Sequence, residues 1–170
     1  MENCRVCEII KLAKTRRYPL CAAVTTANVI VLSWPTEAIG TVLVLAKRHA
    51  ATTDDALMRH CLERDTDMVR QAIMNSFHPK HVTVERTAGA LHGHAHLIPV
   101  YPRAETSGTE QPECCRVDIP LARQLHDKQR IYDALTVLRV QLAKEAFACH
   151  RSDFRLDMLQ ESNFPPPFVP

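Results

Sequence analysis

Three histidines alternate along one short stretch of the sequence, LHGHAHLIPV over residues 91–100. In a β-strand, residues two apart point to the same face, so we expect His92, His94 and His96 to line one surface. A neutral imidazole whose second ring nitrogen is hydrogen-bonded is a nucleophile toward phosphorus, and a neighbouring imidazole can stabilise phosphoryl charge or protonate a leaving group. A metal-binding tract and chance enrichment are the alternatives, but the strict alternation leading into Leu-Ile-Pro favours a functional row.

Two closely spaced cysteines, Cys4 and Cys7, stand near the beginning of the sequence. This CxxC spacing is typical of half a zinc site, because zinc takes four tetrahedral sulfur or nitrogen ligands. Two buried thiols that pack as small hydrophobic groups are the alternative. No apolar leader precedes Cys4, so we expect reduced thiols and an intracellular protein, cytoplasmic or nuclear.

Length and composition fit one globular domain with an appended segment. The 170 residues are 46% hydrophobic and 24% charged, which are ordinary values for globular proteins. A formal net charge of +2 is too small to predict wholesale binding to nucleic acid or to membranes. No apolar run approaches the roughly 20 residues that a bilayer span requires, so we expect no membrane association.

Apolar periodicity predicts the elements that would hold these side chains. The near-continuous apolar run Thr41–Lys47 is typical of a buried central strand. A leucine stripe over 121–149 predicts a long helix that packs on the core or forms a subunit interface. The other predicted elements are helices over 5–14 and from a start near 52–55, strands within 22–33 and over 81–86, 91–100 and 116–119, a polar loop at 103–113 and an extended tail at 163–170.

The segment His92-Gly-His94-Ala-His96-Leu-Ile resembles the signature of the histidine triad family, His-φ-His-φ-His-φ-φ, where φ is usually apolar. Residues 35–49 (PTEAIGTVLVLAKRH) are similar to a strand of that family, commonly Pro-x-x-x-x-Gly-His-x-Leu-Val-x-Pro-Lys-x-His. The resemblance implies an α+β fold, an antiparallel sheet of about five strands with flanking helices, usually dimeric. It also implies a nucleotide-binding hydrolase or transferase that acts at the α-phosphate of a nucleotide conjugate through a covalent nucleotidyl-histidine.

By this resemblance His94 is the catalytic nucleophile, and His96 contacts the phosphate and the leaving group. Ser33 stands where the family often places a polar residue, frequently asparagine, against the ribose, and Thr41 replaces a usual histidine. Arg86 is expected to meet a phosphate with its fork of donors; the alternative is a surface ion pair with the preceding glutamate. Nucleotide binding is therefore assigned to Ser33, Thr41 and Arg86 together with the two histidines.

The resemblance also implies a structural zinc ion. In histidine triad proteins that carry an N-terminal CxxC pair, the remaining ligands are the histidine after the lysine-containing strand and the first triad histidine. Both are present in this sequence. The implied ligand set is Cys4, Cys7, His49 and His92.

A second resemblance implies a different function. Segments 84–86 and 98–100 are similar to the histidine-triad-like C-terminal region of CWF19-like proteins, which act with RNA lariat debranching and splicing factors. This alternative implies an RNA-processing adaptor with an RNA or splicing-related protein partner and little or no catalysis. In either case we expect a histidine-triad-like domain over 1–103, a linker loop over 104–113 and a C-terminal extension over 114–170.

Overall fold

The computed structural model describes residues 4–33, 38–48, 56–86, 92–101 and 121–156, with the backbone alone for 121–128. Within these ranges the chain has an α+β fold built on one open antiparallel sheet, as predicted. In chain order the elements are α1 (Arg5–Lys14), β1 (Cys21–Val24), β2 (Asn28–Leu32), β3 (Val42–Ala46), α2 (Ala56–Phe77), β4 (His81–Arg86), β5 (His94–Val100), α3 (Leu121–Ala148) and β6 (Arg155–Leu156). The strand order across the sheet is β4-β5-β3-β2-β1-β6.

Helices α2 and α3 cover one face of the sheet. Burial alternates along β5, where Ala95 and Leu97 are fully buried in the same cluster as the helix residues Ile73 and Leu138. Every residue of β2 is buried, as are all but one of β3. This burial on both faces explains the continuous apolar runs in their sequences. Burying a leucine or isoleucine side chain stabilises the fold by about 1.5–3 kcal/mol. The layer between this face of the sheet and the helices α2 and α3 holds more such side chains than the opposite face, so it is the main core.

Helix α1 covers the opposite face over β1, β2 and β3. Ile10 and Ala13 of the helix pack with Cys21, Val29 and Leu45 of the sheet. Strand β5 lies directly beside β3 in the sheet. The half-buried side chains of β5 on this face therefore lie next to the region that α1 covers.

Helix α3 belongs to the same core as the sheet. Leu135, Leu138 and Leu142 are buried in one cluster with strand residues, so the described part of the predicted leucine stripe serves the chain's own core. After α3 the chain returns as β6 and pairs with β1, which adds a sixth strand to the five expected. No helix among the described residues has the length and hydropathy of a membrane span.

Several predicted elements lie outside the described residues. They are the helix start at 52–55, the linker at 104–113, the strand at 116–119 and the tail at 163–170. The division into a domain and an extension stays a prediction.

A buried carboxylate ties α2 to the β1–β2 turn and to the segment after α3. Asp65 is fully buried and accepts hydrogen bonds at 2.7 Å from both the Thr25 hydroxyl and the Asn28 side-chain amide. The Arg151 guanidinium donates to the same carboxylate at 2.9 Å and to Asp153 at 2.7 and 2.9 Å. The hydrogen bond from Arg151 holds the pKa of Asp153 at about 2, so this carboxyl is ionised at neutral pH. The network fixes the chain where it enters β6.

Gly40 turns the chain before β3, and replacing it with alanine should destabilise the fold. Its φ is +88°, and an added Cβ would lie 2.6 Å from Cδ2 of Phe77. Backbone strain and steric overlap together should cost about 3 kcal/mol in the free energy of unfolding, measured by urea denaturation. Gly93→Ala is the matched control, because its Cβ would meet Leu62 and Ala46 at 3.8 Å, an ordinary contact. Equal losses in the two variants would contradict this explanation.

Candidate functional site

His94 and His96 lie on β5 with their side chains on one face of the sheet. The register pairs His94 with Leu45 and His96 with Leu43 of β3, and paired residues of antiparallel strands project to the same face. The intervening Ala95 is fully buried on the other face. Both imidazoles are half-buried, so the strand holds them side by side on the face that carries α1.

The ring of His94 is oriented by the backbone of His92. Nδ1 of His94 lies 3.0 Å from the carbonyl oxygen of His92. A carbonyl oxygen can only accept a hydrogen bond, so Nδ1 carries the proton when the ring is neutral. The lone pair is then on Nε2 of His94. This is the tautomer in which Nε2 can act as a nucleophile.

His92 has a different environment from the other two histidines. It precedes β5, and its side chain is 2% exposed. Nδ1 lies 3.1 Å from the carbonyl oxygen of Ala46 and Nε2 lies 3.0 Å from Sγ of Cys7. The alternation predicts a row of three similar imidazoles. The structure instead has two half-buried imidazoles in the strand and a third that is buried against α1.

Cys4, Cys7 and His92 form a cluster whose candidate ligand atoms all lie within 4.8 Å of one another. Cys4 is at the N-cap position of α1 and Cys7 lies in its first turn, so the CxxC spacing places both thiols at one helix end. Desolvation and the neighbouring Cys4 thiol raise the pKa of Cys7. A bound dication would reverse this effect, because it stabilises both thiolates at once. The three groups fit the sulfur and nitrogen donors that zinc prefers, while the fourth predicted ligand, His49, lies outside the described residues.

Ser33 and Thr41 lie together at the other end of β2 and β3. The backbone N–H of Ser33 donates to the Thr41 carbonyl at 2.8 Å, which continues the ladder. The Thr41 side chain is 1% exposed and its hydroxyl donates to the carbonyl of Ala38 at 2.6 Å. Since Thr41 is two residues from Leu43, which pairs with His96, alternation places it on the face of the two histidines.

Arg86 is not on the same face as the catalytic histidines that we predicted it would assist. In the register of β4 and β5, Arg86 pairs with Ala95, whose side chain points to the helix-covered face. The residue opposite His96 is Glu85. The register between β4 and β5 determines the face to which the Arg86 side chain projects, and the sequence of β4 alone does not reveal that register. Glu85 is thus a site neighbour that the sequence analysis missed.

Solved structures identify the architecture. The chain is similar to a hypothetical histidine triad nucleotide-binding protein from Sulfolobus tokodaii, with a TM-score of 0.62 at 15% identity over 86% of this chain and 99% of that one. It is also similar to a zinc-bound histidine triad family protein from Mycobacterium smegmatis, with a TM-score of 0.59 at 17% identity over 86% and 97% of the two chains. This chain has the histidine triad fold. A HIT-like protein from Bartonella henselae described as involved in cell-cycle regulation matches this fold with a TM-score of 0.52 at 17% identity, over 77% and 94% of the chains.

At the level of sequence the match is weaker. No protein-family model matches the chain, and no curated protein sequence does. The histidine triad fold of this chain is therefore recognisable from its backbone and from the short segments around its histidines.

Proposed function

We propose that this chain is a nucleotide-binding histidine triad enzyme that hydrolyses or transfers at the α-phosphate of a nucleotide conjugate. The observation that carries the proposal is the hydrogen bond of 3.0 Å between Nδ1 of His94 and the carbonyl of His92. It holds a half-buried imidazole in the nucleophilic tautomer on the strand that also carries His96. The fold shared with the Sulfolobus tokodaii protein, described as nucleotide-binding, supports the same substrate class.

The reaction then has two steps. Nε2 of His94 attacks the α-phosphorus, a P–N bond forms, and the bond from phosphorus to the leaving group breaks. His96, the next residue on the same face, protonates the leaving group or holds the phosphoryl oxygens as negative charge develops. Water next attacks phosphorus and loses a proton, which returns to His96; the P–N bond breaks, and the nucleoside monophosphate is released with His94 restored.

Ser33 and Thr41 are the proposed nucleotide contacts. Alternation places Thr41 on the histidine face, and Ser33 is half-buried beside it. A serine hydroxyl can donate to and accept from a ribose hydroxyl. Arg86 stays a predicted phosphate contact, and the β4–β5 register directs its side chain to the other face of the sheet.

The activity is tested by incubating the full chain with nucleoside phosphoramidates and dinucleoside polyphosphates and quantifying the released nucleoside monophosphate. We expect release from at least one of these substrates, and the preferred one identifies the base and the leaving group. No turnover and no thermal shift with any nucleotide would contradict the proposal. The adaptor alternative, the homodimer and the intracellular compartment stay predictions.

We also propose a structural zinc ion held by Cys4, Cys7, His92 and, in the fourth position, His49. The Nδ1–H of His92 donates to the Ala46 carbonyl, which leaves Nε2 to face Cys7 and the ion, as in many zinc sites. The ion would stabilise the start of α1 against β5. Because the carbonyl of His92 also accepts from His94, fixing His92 fixes the acceptor that orients the nucleophile.

Replacing Cys7 with serine should remove the zinc and lower the melting temperature. Metal analysis should find one zinc per chain in the wild type and little in Cys7→Ser. If free zinc is a thousandfold above its Kd, the lost stabilisation is about 4 kcal/mol. Cys149→Ser is the control, because Cys149 is an exposed cysteine after α3, outside the cluster. A wild type without zinc, or unchanged zinc in Cys7→Ser, would contradict the site.

A further inference from the structure

A cavity of about 260 Å³ lies at the C-terminal end of α1 and is lined by cationic side chains. Lys14 and Arg16 reach it from the end of α1. Lys47 lies directly after β3, and Arg155 lies in β6. Its remaining lining residues are Ala13, Val24 and Leu156. Three separate parts of the chain thus bring four positive charges to one concavity.

A second cavity of about 380 Å³ shares Lys14 and Lys47 with the first. It adds Lys11 and Thr15 and extends toward Cys7 and His92. None of the described residues that line either cavity is acidic. The positive charge therefore extends over both cavities, which together we call the cationic cleft.

The charges of the cleft are not neutralised by the described part of the chain. Within the described ranges, Lys14, Arg16 and Arg155 form no salt bridge. The nearby carboxylate of Asp153 is already bound by Arg151 and by Arg64, the latter at 3.2 Å. Like charges gathered in a concavity repel one another unless an anion joins them.

Arg16 stands at a position that favours glycine. It ends α1 with a φ of 57°, and the N–H of Arg16 donates to Ala13 while that of Arg17 donates to Leu12. These two bonds are the Schellman arrangement, in which the left-handed residue is usually glycine. An arginine there costs conformational energy relative to glycine, as do His78 and His150, the other described non-glycine residues with a positive φ. The negative end of the helix dipole accounts for cations at Lys11 and Lys14, but not for Lys47 and Arg155 from other elements.

We propose that the cationic cleft is a second anion site, distinct from His94 and His96, that binds a small polyanion carrying two or more phosphate groups. Arginine forks suit bidentate contact with phosphate oxygens, and lysines add point charges. The ammonium of Lys47 donates to the carbonyl of Thr25 and retains further N–H donors. A half-open cavity of about 260 Å³ has the size of a compact polyphosphate.

The test is calorimetric titration of the full chain with tripolyphosphate, pyrophosphate and inorganic phosphate at physiological ionic strength. We expect affinity to rise with the number of phosphates, and Arg16→Gly and Lys14→Gln/Arg155→Gln to bind tripolyphosphate at least about tenfold more weakly. Arg16→Gly should keep or raise the melting temperature, since glycine suits that backbone, so weaker binding cannot come from unfolding. Loss of zinc to the probe would appear in every variant alike.

Lys144→Ala removes one exposed cation from α3 and is the charge control, with binding expected at the wild-type level. Equal weakening in Lys144→Ala and the cleft variants would overturn the proposal, because net charge would then explain the binding. No binding of tripolyphosphate by the wild type would also overturn it. So would tighter binding of a single-stranded oligonucleotide that the cleft variants lose, since the occupant would then be a nucleic-acid backbone. Nucleotide turnover at His94 is measured in a separate assay, and its result neither supports nor overturns the anion site.

Discussion

Replacing His94 with alanine should lower the release of nucleoside monophosphate by about 10³-fold or more. Nε2 of His94 is the atom that forms the bond to phosphorus in the proposed reaction, and the hydrogen bond between Nδ1 and the carbonyl of His92 sets the tautomer that leaves Nε2 free of its proton. Removing a nucleophile removes the covalent route entirely, and only substrate positioning remains. Initial rates measured for the wild type and the variant with the preferred substrate give the fold-decrease in the release of nucleoside monophosphate.

The control for this variant is His60→Ala. His60 lies on α2 and is exposed, so losing its imidazole should leave the rate unchanged. Circular dichroism of both variants should match that of the wild type, because His94 is only half-buried. A His94→Ala rate within tenfold of the wild-type rate would contradict its role as nucleophile.

Replacing Asp65 with alanine should destabilise the fold by about 3–5 kcal/mol. The change leaves the Arg151 side chain, 8% exposed, without the buried carboxylate that lies 2.9 Å away. It also removes the shared acceptor of Thr25 and Asn28, both 1% exposed. Arg151 keeps Asp153 as a partner, so the cost comes mainly from the lost hydrogen bonds that the Thr25 hydroxyl, the Asn28 amide and Arg151 donate to the buried carboxylate, each worth about 1.5–3 kcal/mol. Urea denaturation followed by circular dichroism measures the free energy of unfolding.

An exposed ion pair on the same helix is the matched control. Arg70 lies 3.6 Å from Asp67, and the two side chains are 55% and 70% exposed. Arg70→Ala should therefore cost less than about 1 kcal/mol. If Asp65→Ala costs no more than Arg70→Ala, the buried network does not hold α2 to the segment before β6.

The histidine alternation was enough to predict the strand and the shared face of His94 and His96, because a period of two is local to the chain. The helix predicted over 5–14 is confirmed as α1, and the one predicted over 121–149 ends one residue earlier as α3. Apolar periodicity along the sequence predicts such helices without any information about tertiary contacts. The pairing of Cys4 and Cys7 with His92 rested on the family resemblance, and the cluster within 4.8 Å supports it.

Other features depend on contacts between distant parts of the chain. Strand β6 has two residues, too few for any periodicity, and it depends on pairing with the edge of β1. The face on which Arg86 projects is set by the β4–β5 register, which a shift of one residue would reverse. Asp65 and Arg151 are 86 positions apart, and nothing local in either segment indicates a partner.

Intact-mass spectrometry of the chain, quenched within seconds of mixing with a nucleoside phosphoramidate, tests the covalent mechanism most directly. We expect an added mass of one nucleotidyl group, located by peptide mapping to His94 and absent from His94→Ala. Release of nucleoside monophosphate at the wild-type rate with no adduct at any quench time, or with an adduct on another residue, would contradict it.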